Sequence, residues 1–166
     1  MFIALMAYIP SAGWPTLGHD SQRSSYQSVS GAEISAPSVK WRVPVTQILQ
    51  RSCGPVLSDV RADYPGCEVL FNDGKYLKCL DGNTGNQIWS FALPDTDYLP
   101  NSTPAVGDVD GDGIPEMVAC KQMPGILFCL NAQTGALEWL DTVSNGQQIM
   151  APVCLTDVSG TACPRS

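Results

Sequence analysis

Histidine is nearly absent from this chain: His19 is the only one in 166 residues. There is no Cys-x-x-Cys pair, so seven cysteines and a single imidazole give a zinc centre little to build from. Basic charge is also scarce. Nine Lys+Arg face 16 Asp+Glu, for a formal net charge of -7 with no basic cluster. That balance excludes nucleic acid and anionic membrane surfaces as natural partners. Long apolar runs are missing as well: the most apolar stretch, MFIALMAYIPSAG at 1–13, is too short to span a bilayer, and nothing further on is longer. His19 precedes Asp20, yet no Gly-x-Ser-x-Gly occurs, so a structural hydrogen bond is the simpler role for this pair. The acidic residues gather in loops, which turns attention to cations.

What is present is punctuation. Thirteen prolines and 15 glycines are spread along the chain at short intervals, as in an all-β protein with many turns. Residues 1–13 end in Ser11, Ala12 and Gly13 and read either as a secretory leader that lacks its basic start, or as a strand packed on the body. A cysteine content of roughly 4%, beside a candidate leader, favours an oxidising compartment and one or more disulfides. The odd count leaves one thiol over, and cysteines at strand positions also serve as small hydrophobes. Asn101-Ser102-Thr103 is a glycosylation sequon, weakened by the Pro104 that follows.

The chain repeats itself. Trp41, Trp89 and Trp139 are 48 and 50 residues apart, in VKWRV, NQIWSF and ALEWLD. LKCLDGNTGNQIW (77–89) and LFCLNAQTGALEW (127–139) share Leu-x-Cys-Leu-Asp/Asn-x-x-Thr-Gly-x-x-x-Trp. This pattern predicts a strand, a tight turn with Gly85 or Gly135 at positive φ, and a returning strand. A second marker keeps step: PVLSDV (55–60), PAVGDV (104–109) and PVCLTDV (152–158) place Asp59, Asp108 and Asp157 at spacings of 49 and 49. Strands EVLF (68–71) and EMVAC (116–120) follow in the first two units, with turns at Asp73-Gly74 and Met123-Pro124-Gly125. Four short strands in about 49 residues is the size of one propeller blade, whose apolar faces are covered by its neighbours. The tryptophans are therefore expected to pack between blades.

The Thr-Gly-x-x-x-Trp strand pair resembles the repeat of pyrroloquinoline-quinone-type propellers. The run Asp-Val-Asp-Gly-Asp-Gly-Ile-Pro-Glu at 108–116 resembles the calcium loop of FG-GAP, integrin-like repeats. WPTLGHDSQRSSYQ (14–27), with VKWRV behind it, is similar to the opening of such chains, where the first segment supplies the last strand of a blade completed by the other end. The resemblance implies an all-β fold, a β-propeller of four-stranded antiparallel blades. Residues 14–50 would form an opening segment with a blade-closing strand, 51–100 a blade, 101–150 the calcium-loop blade, and 151–166 the start of the next. A ring of seven or eight blades at this period needs about 340–400 residues. The expected state is therefore a partial ring of about two blades plus parts of two more, completed by other propeller segments or subunits.

The loop at 108–116 carries the chemistry. Calcium is a hard ion that takes six to eight oxygens, and alternating acids on a tight loop can converge on it. Asp108, Asp110, Asp112 and Glu116 supply carboxylates, Gly111 and Gly113 let the loop curl, and the Ile114 carbonyl is the expected main-chain ligand. An EF-hand also opens Asp-x-Asp-x-Asp-Gly, but its twelfth position must be Glu, and here it is Ala119 in a strand-like run. The sister loops contrast. DVRADYPGCE has Arg61 at the third position and is one residue longer; DVSGTACPR has Ser159, Thr161 and Arg165 at the third, fifth and ninth. Both carry a cysteine near the loop's end, Cys67 and Cys163, which suggests disulfides stapling loops that lack a metal.

Two functions follow as expectations. One is a non-enzymatic secreted or cell-surface propeller (periplasmic if bacterial) with Ca2+ as a structural ion, used for interaction, adhesion or assembly with an extracellular protein or glycan ligand. The alternative implied by the resemblance is a fragment of a pyrroloquinoline-quinone-dependent dehydrogenase. That chemistry needs a complete ring, a central calcium at the cofactor and an aspartate base, and often adjacent cysteines. No Cys-Cys pair occurs in this chain.

Overall fold

In a computed structural model, residues 2–6, 38–45, 54–94, 102–143, 148–149 and 151–156 are described. Among them all regular structure is β, and no helix is long and apolar enough to cross a membrane. Ten strands form three antiparallel sheets. β1 (Phe2–Met6) pairs with β2 (Val39–Pro44). The first four-stranded sheet contains β3 (Val56–Ser58), β4 (Glu68–Asn72), β5 (Tyr76–Asp81) and β6 (Gln87–Ala92), each beside the next. The second repeats that order with β7 (Ala105–Gly107), β8 (Glu116–Lys121), β9 (Ile126–Asn131) and β10 (Leu137–Thr142). These two sheets are unit one and unit two.

The units share register as well as order. Leu70 sits opposite Cys79, and Cys79 opposite Trp89; Val118 sits opposite Cys129, and Cys129 opposite Trp139. In both units the last strand shifts register just before its tryptophan, so Ile88 and Glu138 occupy the same irregularity. Such bulges sharpen local twist.

The turn sequence explains itself. The Asp81 carboxylate accepts the Asn83 amide at 2.8 Å and the Thr84 hydroxyl, while the Gly85 amide donates to the Asp81 carbonyl at 2.8 Å. In unit two the Asn131 side-chain oxygen accepts from the Gln133 and Thr134 amides, each at 3.1 Å, and Gly135 donates to the Asn131 carbonyl at 2.8 Å. Gly85 and Gly135 adopt φ of 76° and 74°, as the motif predicts. The Asx side chain thus closes the turn internally. The β4–β5 turn works alike: Asp73 accepts the Lys75 and Tyr76 amides and pairs with Lys78, and Gly74 has φ 97°.

The core lies between sheets, and β4 and β8 are buried along their whole length. Leu70, Leu77, Cys79 and Trp89 of unit one form one cluster with Met117, Ala119, Phe128, Leu130 and Ala132 of unit two. Val69, Phe71 and Leu80, on the other face of unit one, pack with Trp41, Val43 and Val45 around β2. With both faces covered, a central strand needs a continuous apolar run rather than alternation, which is why EVLF carries none. Each fully buried Leu or Phe here contributes about 1.5–3 kcal/mol.

Among the described residues no disulfide joins two cysteines. Cys79, Cys120 and Cys129 lie on strands and are essentially unexposed, and they fill space as small hydrophobes. Cys53 and Cys163 lie outside the described residues, as do His19, Asp20 and Asn101. Of the candidate leader, Phe2–Met6 is a strand paired with β2.

Candidate metal site

The loop between β7 and β8 is curled by Gly111 and Gly113, at φ 84° and 86°. Its acids face its own amides. Asp108 accepts from the Gly111 and Gly113 amides at 2.7 and 3.0 Å, and Asp110 from that of Asp112 at 3.1 Å. Glu116, 1% exposed at the first position of β8, reaches back to accept the Val109 amide at 2.8 Å. One oxygen from each of Asp108, Asp110 and Glu116 lies within 4.8 Å of the others, close enough to hold a metal ion.

Asp112 is outside this group. Its carboxylate, exposed, accepts the Ile114 amide at 2.7 Å. Ile114 is half-buried, two residues before β8. Burial raises the Glu116 carboxyl above its ordinary value, the Val109 amide opposes this, and the charges of Glu138, Asp110 and Asp112 raise it further. Glu138, whose charge acts on Glu116 from outside the group, was not foreseen from the sequence. It occupies the β10 irregularity, where unit one has Ile88, and that exchange of an apolar residue for an acid is the signal that could have flagged it.

Unit one shows what remains when the acids are lost. Glu68, the counterpart of Glu116, is 1% exposed and accepts the Val60 and Arg61 amides at 2.9 and 3.2 Å. The glutamate therefore anchors the loop in both units. Arg61, which stands where unit two has Asp110, does not neutralise it. The guanidinium pairs with Asp63 at 2.6 Å, donates to the Gln133 carbonyl of unit two at 2.9 Å, and lies over Tyr64. Unit one thus uses this position to tie its loop to the neighbouring sheet, and unit two gathers negative charge there.

A comparison with family models finds no match, and none of the curated proteins matches the chain.

Proposed function

We propose that this chain is part of a calcium-binding β-propeller of non-enzymatic role, working at the cell surface or outside the cell in interaction, adhesion or assembly. Calcium is its structural ion. Support for the fold comes from two four-stranded units of equal register packed face to face. The observation that carries the metal is the convergence of Asp108, Asp110 and Glu116 within 4.8 Å. All three donors are hard oxygens, on a loop whose glycines let it tighten around an ion. Filling the site sets a positive charge against the burial and the neighbouring carboxylates that raise Glu116, so the ion orders the loop and clamps β7 to β8.

The test is thermal melting of the full 166-residue chain with Ca2+, with Mg2+ and with chelator. At a calcium concentration a hundredfold above Kd the gain is about 2.7 kcal/mol, or roughly 5–10 °C for a chain of this length. Mg2+, which demands a tighter octahedral shell, stabilises less. Asp110→Asn keeps an acceptor for the Asp112 amide and removes one ligand charge, so it should lose most of the calcium gain without lowering the chelated midpoint. A midpoint indifferent to millimolar calcium overturns the site.

A further inference from the structure

We propose that the two Asp-Gly bonds of the β7–β8 loop are where this protein converts aspartate to isoaspartate, and that Asp108 holds the reaction back. The inference goes beyond the proposed function and needs no metal. The same dipeptide occurs four times, at Asp73-Gly74, Asp81-Gly82, Asp110-Gly111 and Asp112-Gly113, so differences among them in the native chain come chiefly from the fold. Glycine favours the reaction because no Cβ shields the nitrogen that attacks. That nitrogen gives up its proton and bonds to Cγ of the preceding aspartic acid, the Cγ–Oδ bond breaks, and the oxygen leaves as water. A five-membered succinimide results. Water then adds back: opening at the main-chain carbonyl carbon leaves the chain running through Cγ, and opening at Cγ restores aspartate. One water leaves, one returns, and nothing is oxidised or reduced.

Two of the four bonds are closed off. Asp73 and Gly74 are buried; the Asp73 carboxylate accepts the Lys75 and Tyr76 amides and pairs with Lys78, and the Gly74 amide donates to the Asn72 side chain at 2.9 Å. Asp81 and Gly82 are buried too, with the carboxylate on the Asn83 amide and the Thr84 hydroxyl, and the Gly82 carbonyl bonded to the Trp41 indole. The other two bonds stand in water, since every residue from 108 to 113 is exposed. In both, the carboxyl folds forward over its own glycine nitrogen: Asp110 accepts the Asp112 amide at 3.1 Å, and Asp112 the Ile114 amide at 2.7 Å. Such an Asx turn encloses the nitrogen that would attack. One side chain restrains both nitrogens. The Gly111 amide donates to Asp108 Oδ1 at 2.7 Å, and the Gly113 amide to Asp108 Oδ2 at 3.0 Å. A carboxylate beside an N–H holds its proton in place, and attack requires that proton to leave. Conversion at Asp110 adds a methylene to the main chain and displaces one carboxylate of the triad, so the reaction strikes the candidate metal site itself.

The experiment incubates the 166-residue protein at neutral pH with chelator, in water enriched in heavy oxygen. Peptide mapping then scores each bond, because every passage through the ring leaves one solvent oxygen behind. In urea all four bonds should label together. In the native chain, label is expected at Asp110 and Asp112, severalfold more slowly than in urea, and not at Asp73 or Asp81. Asp108→Ala, with its β circular dichroism retained, should raise the two loop bonds severalfold and leave the other two silent, whereas a general loosening raises all four. Asp108→Asn keeps one acceptor oxygen, so it should release one loop bond and spare the other, and it carries the test if the alanine variant does not fold. Label at Asp73 or Asp81 that keeps pace with the native loop overturns the proposal, as does a native loop that labels as fast as it does in urea. Folded Asp108 variants that label the loop at the wild-type rate, or that raise all four bonds together, overturn it equally. The chelator keeps this outcome apart from the calcium reading, which the melting experiment decides by itself.

Discussion

Gly135 and Gly111 have nearly the same backbone, φ 74° and 84°, but unlike surroundings. A Cβ at Gly111 meets nothing within 4 Å, whereas one at Gly135 lands 2.7 Å from the Trp89 ring. Gly111→Ala should therefore cost only the backbone strain, about 1–2 kcal/mol. Gly135→Ala adds overpacking against a ring that is itself held by a hydrogen bond, for a total of about 2–4 kcal/mol. Urea denaturation of both variants measures the gap; equal losses would mean that the tryptophan yields and that the contact is loose. The positive φ was legible in the Thr-Gly pair of the repeat. The partner ring was not, because it arrives from the preceding unit, about 45 residues away in sequence, and period alone says that a tryptophan packs without saying on what.

At the scale of the loop and its strand, spacing put Asp108, Asp110 and Glu116 on one tight turn, and the structure brings one oxygen of each within 4.8 Å of the others. Spacing did not separate Asp112, which lies outside that group with its carboxylate on the Ile114 amide, a local choice that the sequence leaves open. The sister loop gives a prediction free of metal. Glu68 has one oxygen on the Val60 and Arg61 amides and its other, Oε1, buried without a partner. Burial raises its carboxyl above the ordinary 4.5, against the pull of those two amides. A carboxyl raised on folding binds its proton more tightly in the folded state. Its stabilising share is then present below the unfolded value and is lost as pH climbs through the folded one. Glu68→Gln keeps an oxygen for the two amides and removes the charge. The stability of the variant relative to the wild type should accordingly rise as pH climbs above the ordinary 4.5. Across urea titrations above that pH, a flat difference would show no net shift on folding and a falling one a carboxylate favoured by the fold, and either would overturn the expectation.

Across the whole molecule, the two units are not independent bodies, because a single buried cluster draws side chains from both. Opening unit one alone would bare Met117, Ala119, Phe128 and Leu130 of unit two, and opening unit two would bare Leu70, Leu77 and Trp89. At about 1.5–3 kcal/mol for each large side chain, either event costs about 5–9 kcal/mol, comparable to the whole marginal stability of a domain. The period in the sequence revealed the units; their cooperativity follows from the shared seam, which only three dimensions display. The cysteines, expected as cross-links, become its reporters. Burial raises the thiols of Cys79 and Cys120, and burial with the charges of Glu138 and Glu116 pushes Cys129 up to about 12. The thiolate fraction of Cys129 at neutral pH is then about a thousandfold below that of an ordinary thiol. Cys154 is exposed. With a disulfide reagent at neutral pH and peptide mapping, Cys154 should react at once in the native chain. Cys79 and Cys129, one from each unit, should gain reactivity together at the same urea midpoint as the loss of β circular dichroism. If Cys129 is labelled at lower urea than Cys79, unit two opens by itself and the seam does not bind the two sheets into one folding unit.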